Sequence, residues 1–489
     1  MRGGPAAALG RLTAPAVIAA LLVAAPAAHP PAPPTRASLQ RDLDAVLAAP
    51  ILARSHWSVL VKSLDRGDVI YAHNPGKLVL PASNMKVFTL AAAAERLGWD
   101  YRFETTLESD APIVAGVLQG DLVVRGSGDP SIDEHDAVAR KTFDEWAEQL
   151  KGAGIIAIAG DIVGDDRAFV DNELGRAWEW DDLVYGFAAP VSALVYNEAV
   201  VRIAARPGAK AGDPAIIEVS PPAGHGLTIV NHAVTGAAGE PDTFDARRQH
   251  GSAVLELMGT VPLGIEEPTG VNASVDDPSM FFVQSLRSAL IARGIRVEGS
   301  AFVAASTSTR VLARHRSAPL AELARRFLKI SQNLYGELLV KTVGRAAGEG
   351  SWARGQQAIG ETFDAWGVPR DAYMLADGSG LSRMNFVSAE ALVTVLGHIY
   401  ADPRHRETFM QALPVGGQDG TLRNRLKASW TAGHVHTKTG SLTGGRALSG
   451  YLTTRSGETL AFAIVANNFN LPAWRIERVI DLLVEILAR

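Results

Sequence analysis

The chain contains no cysteine. This excludes disulfide scaffolds, thiolate zinc sites, iron–sulfur clusters, cysteine nucleophiles and a lipid-modified N-terminal cysteine. An excess of one charge is also lacking: 47 basic and 52 acidic residues leave a formal net charge of −5. Nucleic-acid binders usually carry a strong basic excess, so that class is set aside. No segment beyond the N-terminal stretch offers roughly 18 uninterrupted apolar residues, which argues against a polytopic membrane protein. Neither a Walker A sequence nor a fixed-period repeat is present. What remains is a 489-residue chain, 47% hydrophobic and 20% charged. That is the balance of a soluble globular protein. At roughly 100–200 residues per domain, it has room for two to four.

The N-terminus reads as an address. Arg2 and Arg11 form a thin positive region, Ala14 to Val23 is apolar, and Ala25-Pro26-Ala27 fits a small-residue cleavage site. The apolar run is too short for a membrane span, which favours a signal peptide over a retained anchor. A stiff spacer, His29-Pro30-Pro31-Ala32-Pro33-Pro34, follows. The protein is therefore expected to be exported, to the periplasm or outside the cell.

Patterning predicts a mixed α/β chain. Ser58–Lys62 and Val69–Tyr71 read as paired strands around Asp65-Arg66-Gly67-Asp68. Pro81-Ala82-Ser83 opens a helix that buries Met85, Phe88, Thr89 and Ala92 and ends at Gly98. From residue 108 the runs shorten to strand length: Gly116–Val124, Ile155–Val163, Val200–Ala204, Ile216–Val219 and Leu227–Val230. A helical pattern returns near Pro278, and two helices bracket Ser331. His436–Gly440, Ala447–Thr454 and Thr459–Ala466 read as antiparallel strands. An amphipathic helix from Trp474 to Arg489 covers them.

Three short motifs carry chemistry. In Ser83-Asn84-Met85-Lys86, serine and lysine three apart share one side of a helix. A serine hydroxyl needs a base, and a lysine amine serves if burial or a second cation holds it neutral. In Ser331-Gln332-Asn333 a hydroxyl and an amide sit at a helix break and can point into a cleft. In Lys438-Thr439-Gly440, on a strand, lysine and threonine can hold a carboxylate while glycine allows close backbone approach. Each pattern occurs once, in this order. His434 and His436 alternate on a strand, but no third ligand stands nearby, so a surface strand is preferred to a zinc site.

With these three motifs the sequence resembles the penicillin-binding D-alanyl-D-alanine carboxypeptidases/endopeptidases of the low-molecular-mass class C type. Further stretches support the resemblance: Asp377-Gly378-Ser379-Gly380-Leu381-Ser382-Arg383, Gly416-Gly417-Gln418-Asp419-Gly420-Thr421-Leu422 and Gly126-Ser127-Gly128-Asp129-Pro130. The gap between Ser83 and Ser331 is far longer than the few tens of residues of a plain β-lactamase. In the family, two inserted β-rich domains fill it.

The resemblance implies a serine β-lactamase/transpeptidase-like α/β (α+β) domain: an antiparallel sheet flanked by helices, with a helical subdomain. It is expected over 38–107 and 270–489, after a signal peptide (1–28) and spacer (29–37). A first insert is expected over 108–200 and 262–269, and a nested second over 201–261. It further implies Ser83 as nucleophile, with Lys86 as base, its neutral form favoured by the charge of Lys438. Ser331 would relay a proton to the leaving amine, and Asn333 would orient Lys86 and the substrate. Lys438 and Thr439 would bind the terminal carboxylate. Gly440 would allow close approach, and the N–H groups of Ser83 and Ser441 would hold the oxyanion. Arg383, Leu442 and Asp171 are the expected stem-peptide contacts, with Asp171 receiving the amino group of diaminopimelate. Expected partners are peptidoglycan stem peptides and cross-links, and β-lactams as covalent inhibitors. Nucleic acid, metal and cofactor are not expected, and no peripheral membrane contact is predicted. Two alternatives are a secreted β-lactamase and a catalytically silent peptidoglycan-binding protein. The chain has neither a Leu-Asn dipeptide nor a Tyr-x-Asn pattern, as the two main lactamase types require.

Overall fold

The computed structural model describes residues 35–134 and 137–489. The expected signal peptide and most of the spacer lie outside the described residues. The end of the expected spacer already opens a helix, Arg36–Leu47, capped by Thr35, whose side chain accepts from the Ser38 N–H.

A five-stranded antiparallel sheet organises the part of the chain that carries Ser83 and Lys438. Its order is Val69–His73, His56–Ser63, Thr459–Asn467, Gly445–Thr453, Val435–Leu442. Strand alternation divides its side chains between two cores. Phe462, Ile464 and Ala466 join Trp57, Val59 and Val61 on one side, beneath the terminal helix Ala473–Leu487. Ala461, Ala463 and Val465 face the other core with Phe88, Leu392 and Leu396. The expected three C-terminal strands and their covering helix are all present.

The helix Met85–Leu97 is buried from Met85 through Ala94, not on one side alone as expected. It runs among the helices Asn333–Ala346, Trp352–Ala365 and Ala389–Ala401. Its run Ala91–Ala94 leaves room for neighbours all round, which is how a helix sits inside a core. Gly98, at φ 80°, ends it as expected.

The insert has its own core, built on the helices Val138–Gly152 and Pro278–Ala292. The first of these was not anticipated, although Phe143, Trp146, Ala147 and Leu150 carry the helical period. Val200–Arg206, Ile216–Ser220 and Thr228–Asn231 are single strands as expected, but the runs Gly116–Val124 and Ile155–Val163 are each split in two. Val117–Leu118 and Leu122–Arg125 are separated at Gly120, and Ala157–Ile158 and Ile162–Asp165 at Gly160. Arg296–Val297 and Ala301–Val303 repeat the pattern at Gly299. At these glycines three chains pass together from a four-stranded sheet into a five-stranded one. A Cβ on Gly160 would lie 2.5 Å from the Gly120 carbonyl carbon, and one on Gly299 would lie 2.4 Å from the Gly160 oxygen.

The core memberships suggest other boundaries than those expected. Phe281, Phe282, Leu286 and Leu290 pack with Trp146 and Leu150, not with the catalytic core expected from residue 270. The strand Val311–Arg316 pairs antiparallel with Glu104–Glu108. We therefore propose that these two neighbouring strands mark the entry to and exit from the insert. On the same ground we propose that the nested unit extends past 261, because Thr269–Ser274 pairs with Val200–Arg206.

Phe462 has no exposed surface, at the centre of the sheet's outer core. Phe462→Ala should cost about 3–5 kcal/mol, read as a lower denaturation midpoint in equilibrium unfolding.

Candidate active site

Three elements bring the expected motifs together. Ser83 stands in a 3-10 turn, Ala82–Asn84, directly before the helix that carries Lys86. Ser331 lies between the helices Leu320–Lys329 and Asn333–Ala346. Gln332 caps the second of these by accepting from the Leu334 N–H at 3.1 Å. Lys438 lies on the edge strand Val435–Leu442, opposite Ser449. Two of the turns are strained: Ala82 has φ 48° and Ser331 has φ 63°. Left-handed non-glycine residues cost about 1–3 kcal/mol each and persist only where the surroundings fix them. Here one precedes Ser83 and the other is Ser331 itself.

Glycine permits the close contacts. A Cβ on Gly440 would lie 2.6 Å from the Pro81 oxygen and 2.8 Å from Asn84 Nδ2, so only glycine lets the edge strand rest on the nucleophile turn. Gly380, at φ 88°, presses on the same turn, with a Cβ position 1.9 Å from the Ala82 oxygen.

The Lys86 amine is fully buried and has three neighbours. It lies 2.9 Å from Ser83 Oγ, 2.7 Å from Asn333 Oδ1 and 2.7 Å from the Ser379 carbonyl oxygen. Opposite it, Lys438 Nζ donates to Ser331 Oγ at 2.9 Å and to the Thr439 carbonyl at 2.8 Å. Asn333 Nδ2 donates to the Phe187 carbonyl at 2.8 Å, which ties the insert to the site.

Burial lowers Lys86 to about 7, with Asp377 and Glu337 pulling weakly the other way. Burial is the larger cause, and the expected contribution of Lys438 acts beside it, because repulsion between two facing ammonium groups is mutual. The repulsion is felt at Lys438, held well below its ordinary value by burial first and the Lys86 charge second.

A cleft of about 500 Å³ opens over Ser83. Ser331, Asn333, Thr439, Ser441, Leu442 and Arg383 all line it, as expected. Thr439 Oγ1 donates to Thr421 Oγ1 at 2.7 Å. Arg383 bonds the Thr443 carbonyl at 2.8 Å and Glu179 at 3.0 Å.

Asp171 does not line this cleft, contrary to expectation. It pairs with the buried Lys341 ammonium at 2.6 Å and accepts the Trp352 N–H at 2.7 Å. Both oxygens are committed to the protein, because a buried ammonium demands a partner. The acidic groups lining the cleft are instead Glu179 and Asp182, in the Trp178-Glu179-Trp180-Asp181-Asp182 run. That dense acidic and aromatic run was the available signal. Thr421 and Ser379 fall inside stretches that the resemblance had singled out, but nothing local assigned them a role. Among the described residues, Glu95, Asp402 and His405 gather in one place, as do Glu179, Asp181 and Asp182. Arg404 bridges Glu95 and Asp402, and Arg383 engages Glu179.

Residues 39–489 match the D-Ala-D-Ala carboxypeptidase 3 (S13) family. A D-alanyl-D-alanine carboxypeptidase of Actinomadura sp. (strain R39) is 34% identical, over 96% of this chain and 89% of that protein. The crystal structure of penicillin binding protein 4 (dacB) from Haemophilus influenzae superposes with a TM-score of 0.79 at 26% identity, covering 91% of this chain and 98% of that one. The same Haemophilus protein complexed with a β-lactam gives 0.74, at 26% identity and coverage of 92% and 99%.

Asp171→Ala would leave the Lys341 ammonium buried and unpaired. It should lower stability by about 3–5 kcal/mol, measured by equilibrium unfolding. Affinity for cationic peptides should be unchanged in the folded fraction.

Proposed function

The chain belongs to the D-Ala-D-Ala carboxypeptidase 3 (S13) family, and from this premise we propose that its cleft cleaves D-alanyl-D-alanine peptides of peptidoglycan through an acyl-enzyme on Ser83. The observation that carries this reading is the Lys86 amine, 2.9 Å from Ser83 Oγ and fixed by Asn333 at 2.7 Å.

A neutral amine bound to two acceptors spends both of its N–H groups on them. Asn333 Oδ1 and the Ser379 carbonyl are such acceptors, so the lone pair of Lys86 is left for the Ser83 hydroxyl. Lys86 takes the Ser83 proton as Oγ attacks the carbonyl carbon between the two D-alanines. The oxyanion forms against the Ser83 and Ser441 N–H groups. Ser331 passes a proton to the leaving amine and regains one from the Lys86 ammonium, which returns to its neutral form as the C–N bond breaks and D-alanine departs. Water, deprotonated in turn by Lys86, hydrolyses the ester. The substrate carboxylate docks beside Lys438 and Thr439. A bound anion offsets the burial of the Lys438 ammonium, so substrate recharges it.

The same cycle cleaves a cross-link, in which the D-centre of diaminopimelate replaces the terminal D-alanine. Glu179 and Asp182 take the role expected of Asp171, facing a cationic amino group on the stem peptide, with Arg383 and Leu442 beside them. Penicillins acylate the same hydroxyl and leave a slowly hydrolysed ester. Family membership favours neither the lactamase nor the silent binding protein. Export through residues 1–28 belongs to the same proposal. No described helix is long and apolar enough to cross a membrane.

Ser83→Ala should abolish both covalent labelling by a fluorescent penicillin and D-alanine release from diacetyl-Lys-D-Ala-D-Ala. Retained labelling would place the nucleophile elsewhere. Mass spectrometry of muropeptides after incubation with the wild-type protein separates D-alanine trimming from cross-link cleavage.

Only deprotonated Lys86 can act as base. Acylation should therefore rise as pH increases through about 7 and level off above it. A profile with no acid limb in the neutral range would contradict this.

A further inference from the structure

Beneath the cleft lies a buried carboxylate that the acylation cycle does not use. Glu337 sits one turn beyond Asn333 on the same helix and has no exposed surface. It accepts three neutral donors: Trp352 Nε1 at 3.0 Å, the Gly378 N–H at 2.9 Å and the Ser379 N–H at 2.8 Å. The helix also touches this loop through its backbone, because a Cβ on Gly336 would lie 2.8 Å from the Gly378 oxygen. Asp377 braces the far end of the loop. It accepts the Gly380 N–H at 2.8 Å, the Ser382 N–H at 2.6 Å and Trp178 Nε1 at 2.9 Å. The loop so held presents the Ser379 carbonyl to Lys86 Nζ.

We propose that Glu337 is a positioning residue for acylation: by holding the Gly378 and Ser379 N–H groups it fixes the backbone that enters Ser379, while Asp377 holds the following peptide through the Gly380 N–H, and together they aim the Ser379 carbonyl at Lys86 and so the Lys86 lone pair at Ser83. The inference rests on the reading of Lys86 as base. Without Glu337, those two N–H groups lose their acceptor and Ser379 is held from its Gly380 side alone. The carbonyl then no longer holds one of the two amine hydrogens, and the lone pair loses its direction.

The charge of Glu337 has a second effect. The charged groups facing Lys86 are Glu337 and Asp377, which favour its ammonium form, and Lys438, which opposes it. Glu337 itself faces Asp377 as well as Lys86, and its charge also acts on Lys341. Neutralising Glu337 therefore removes a support of the Lys86 ammonium, and Lys86 deprotonates at lower pH.

Glu337→Gln tests both effects. The amide presents an NH2 group to a ring of N–H donors, so the loop cannot be held as before. Acylation by a fluorescent penicillin, followed by stopped flow against pH, should slow about 10- to 100-fold. The non-covalent affinity of the drug should be retained, and the acid limb should move to lower pH. A wild-type rate, or a slower rate with an unmoved limb, would overturn the inference. If Glu337→Gln fails to fold, Trp352→Phe removes one donor to the carboxylate and keeps the ring. A carboxylate with fewer donors protonates more readily, so the limb should shift in the same direction. An unmoved limb there would also overturn the inference. Lys86→Met separates the two levels: labelling abolished in it with Glu337→Gln at wild-type behaviour defeats the positioning role alone, whereas labelling retained in it defeats the reading of Lys86 as base.

Discussion

The amine of Lys86 is the constraint from which the rest of the site follows. A lysine becomes a base at neutral pH when burial or a second cation disfavours its ammonium form, and here the side chain is wholly enclosed. Enclosure alone does not give direction. Two oxygen acceptors, one from Asn333 and one from the backbone of Ser379, occupy the N–H groups and turn the lone pair toward Ser83. Those acceptors come from chain segments far apart in sequence, so the fold must deliver them together. The edge strand with Lys438, the helix break at Ser331 and the loop at Ser379 all converge on this one group.

The protein accepts local cost to achieve the convergence. Two non-glycine residues sit in left-handed backbone beside the two hydroxyls. Two glycines, Gly380 and Gly440, let neighbouring segments approach the nucleophile turn more closely than any Cβ would permit. Carboxylates in the interior serve as acceptors for loop N–H groups, each of which would cost about 1–3 kcal/mol if left unpaired. Burial also pushes Glu337 above the usual carboxylate range, with Asp377 adding to the effect. The inserted domain contributes to the same architecture. The Phe187 carbonyl takes the free amide hydrogen of Asn333, and Asp171 neutralises Lys341, whose ammonium lies over the Trp352 ring.

Much of this was legible in the chain. Ser83, Lys86, Ser331, Asn333 and Lys438 meet as the motif order implied, because the period of a helix, a helix break and a strand are local properties that sequence encodes directly. The alternating strands of the C-terminal sheet were equally plain. Legibility fails where a residue's environment is made by distant chain. Asp171 reads as a free loop carboxylate until Lys341 is brought beneath it. Glu337 reads as one more helix glutamate until a loop from residues 377–382 closes over it. The helix Pro278–Ala292 shows its period clearly, yet nothing local says which of two cores it joins. The source of Lys86 neutrality was open between burial and a neighbouring cation, and three-dimensional enclosure makes burial the larger of the two.

The central claim is that Lys86 is a neutral, directed base in the resting protein. NMR of protein carrying 13C-ε-lysine, with the Lys86 signal assigned by its absence in Lys86→Arg, reads its protonation directly. The account predicts a titration midpoint near 7, as burial dictates. A Lys86 signal that stays in the ammonium form to the ordinary alkaline range of a solvated lysine would contradict it.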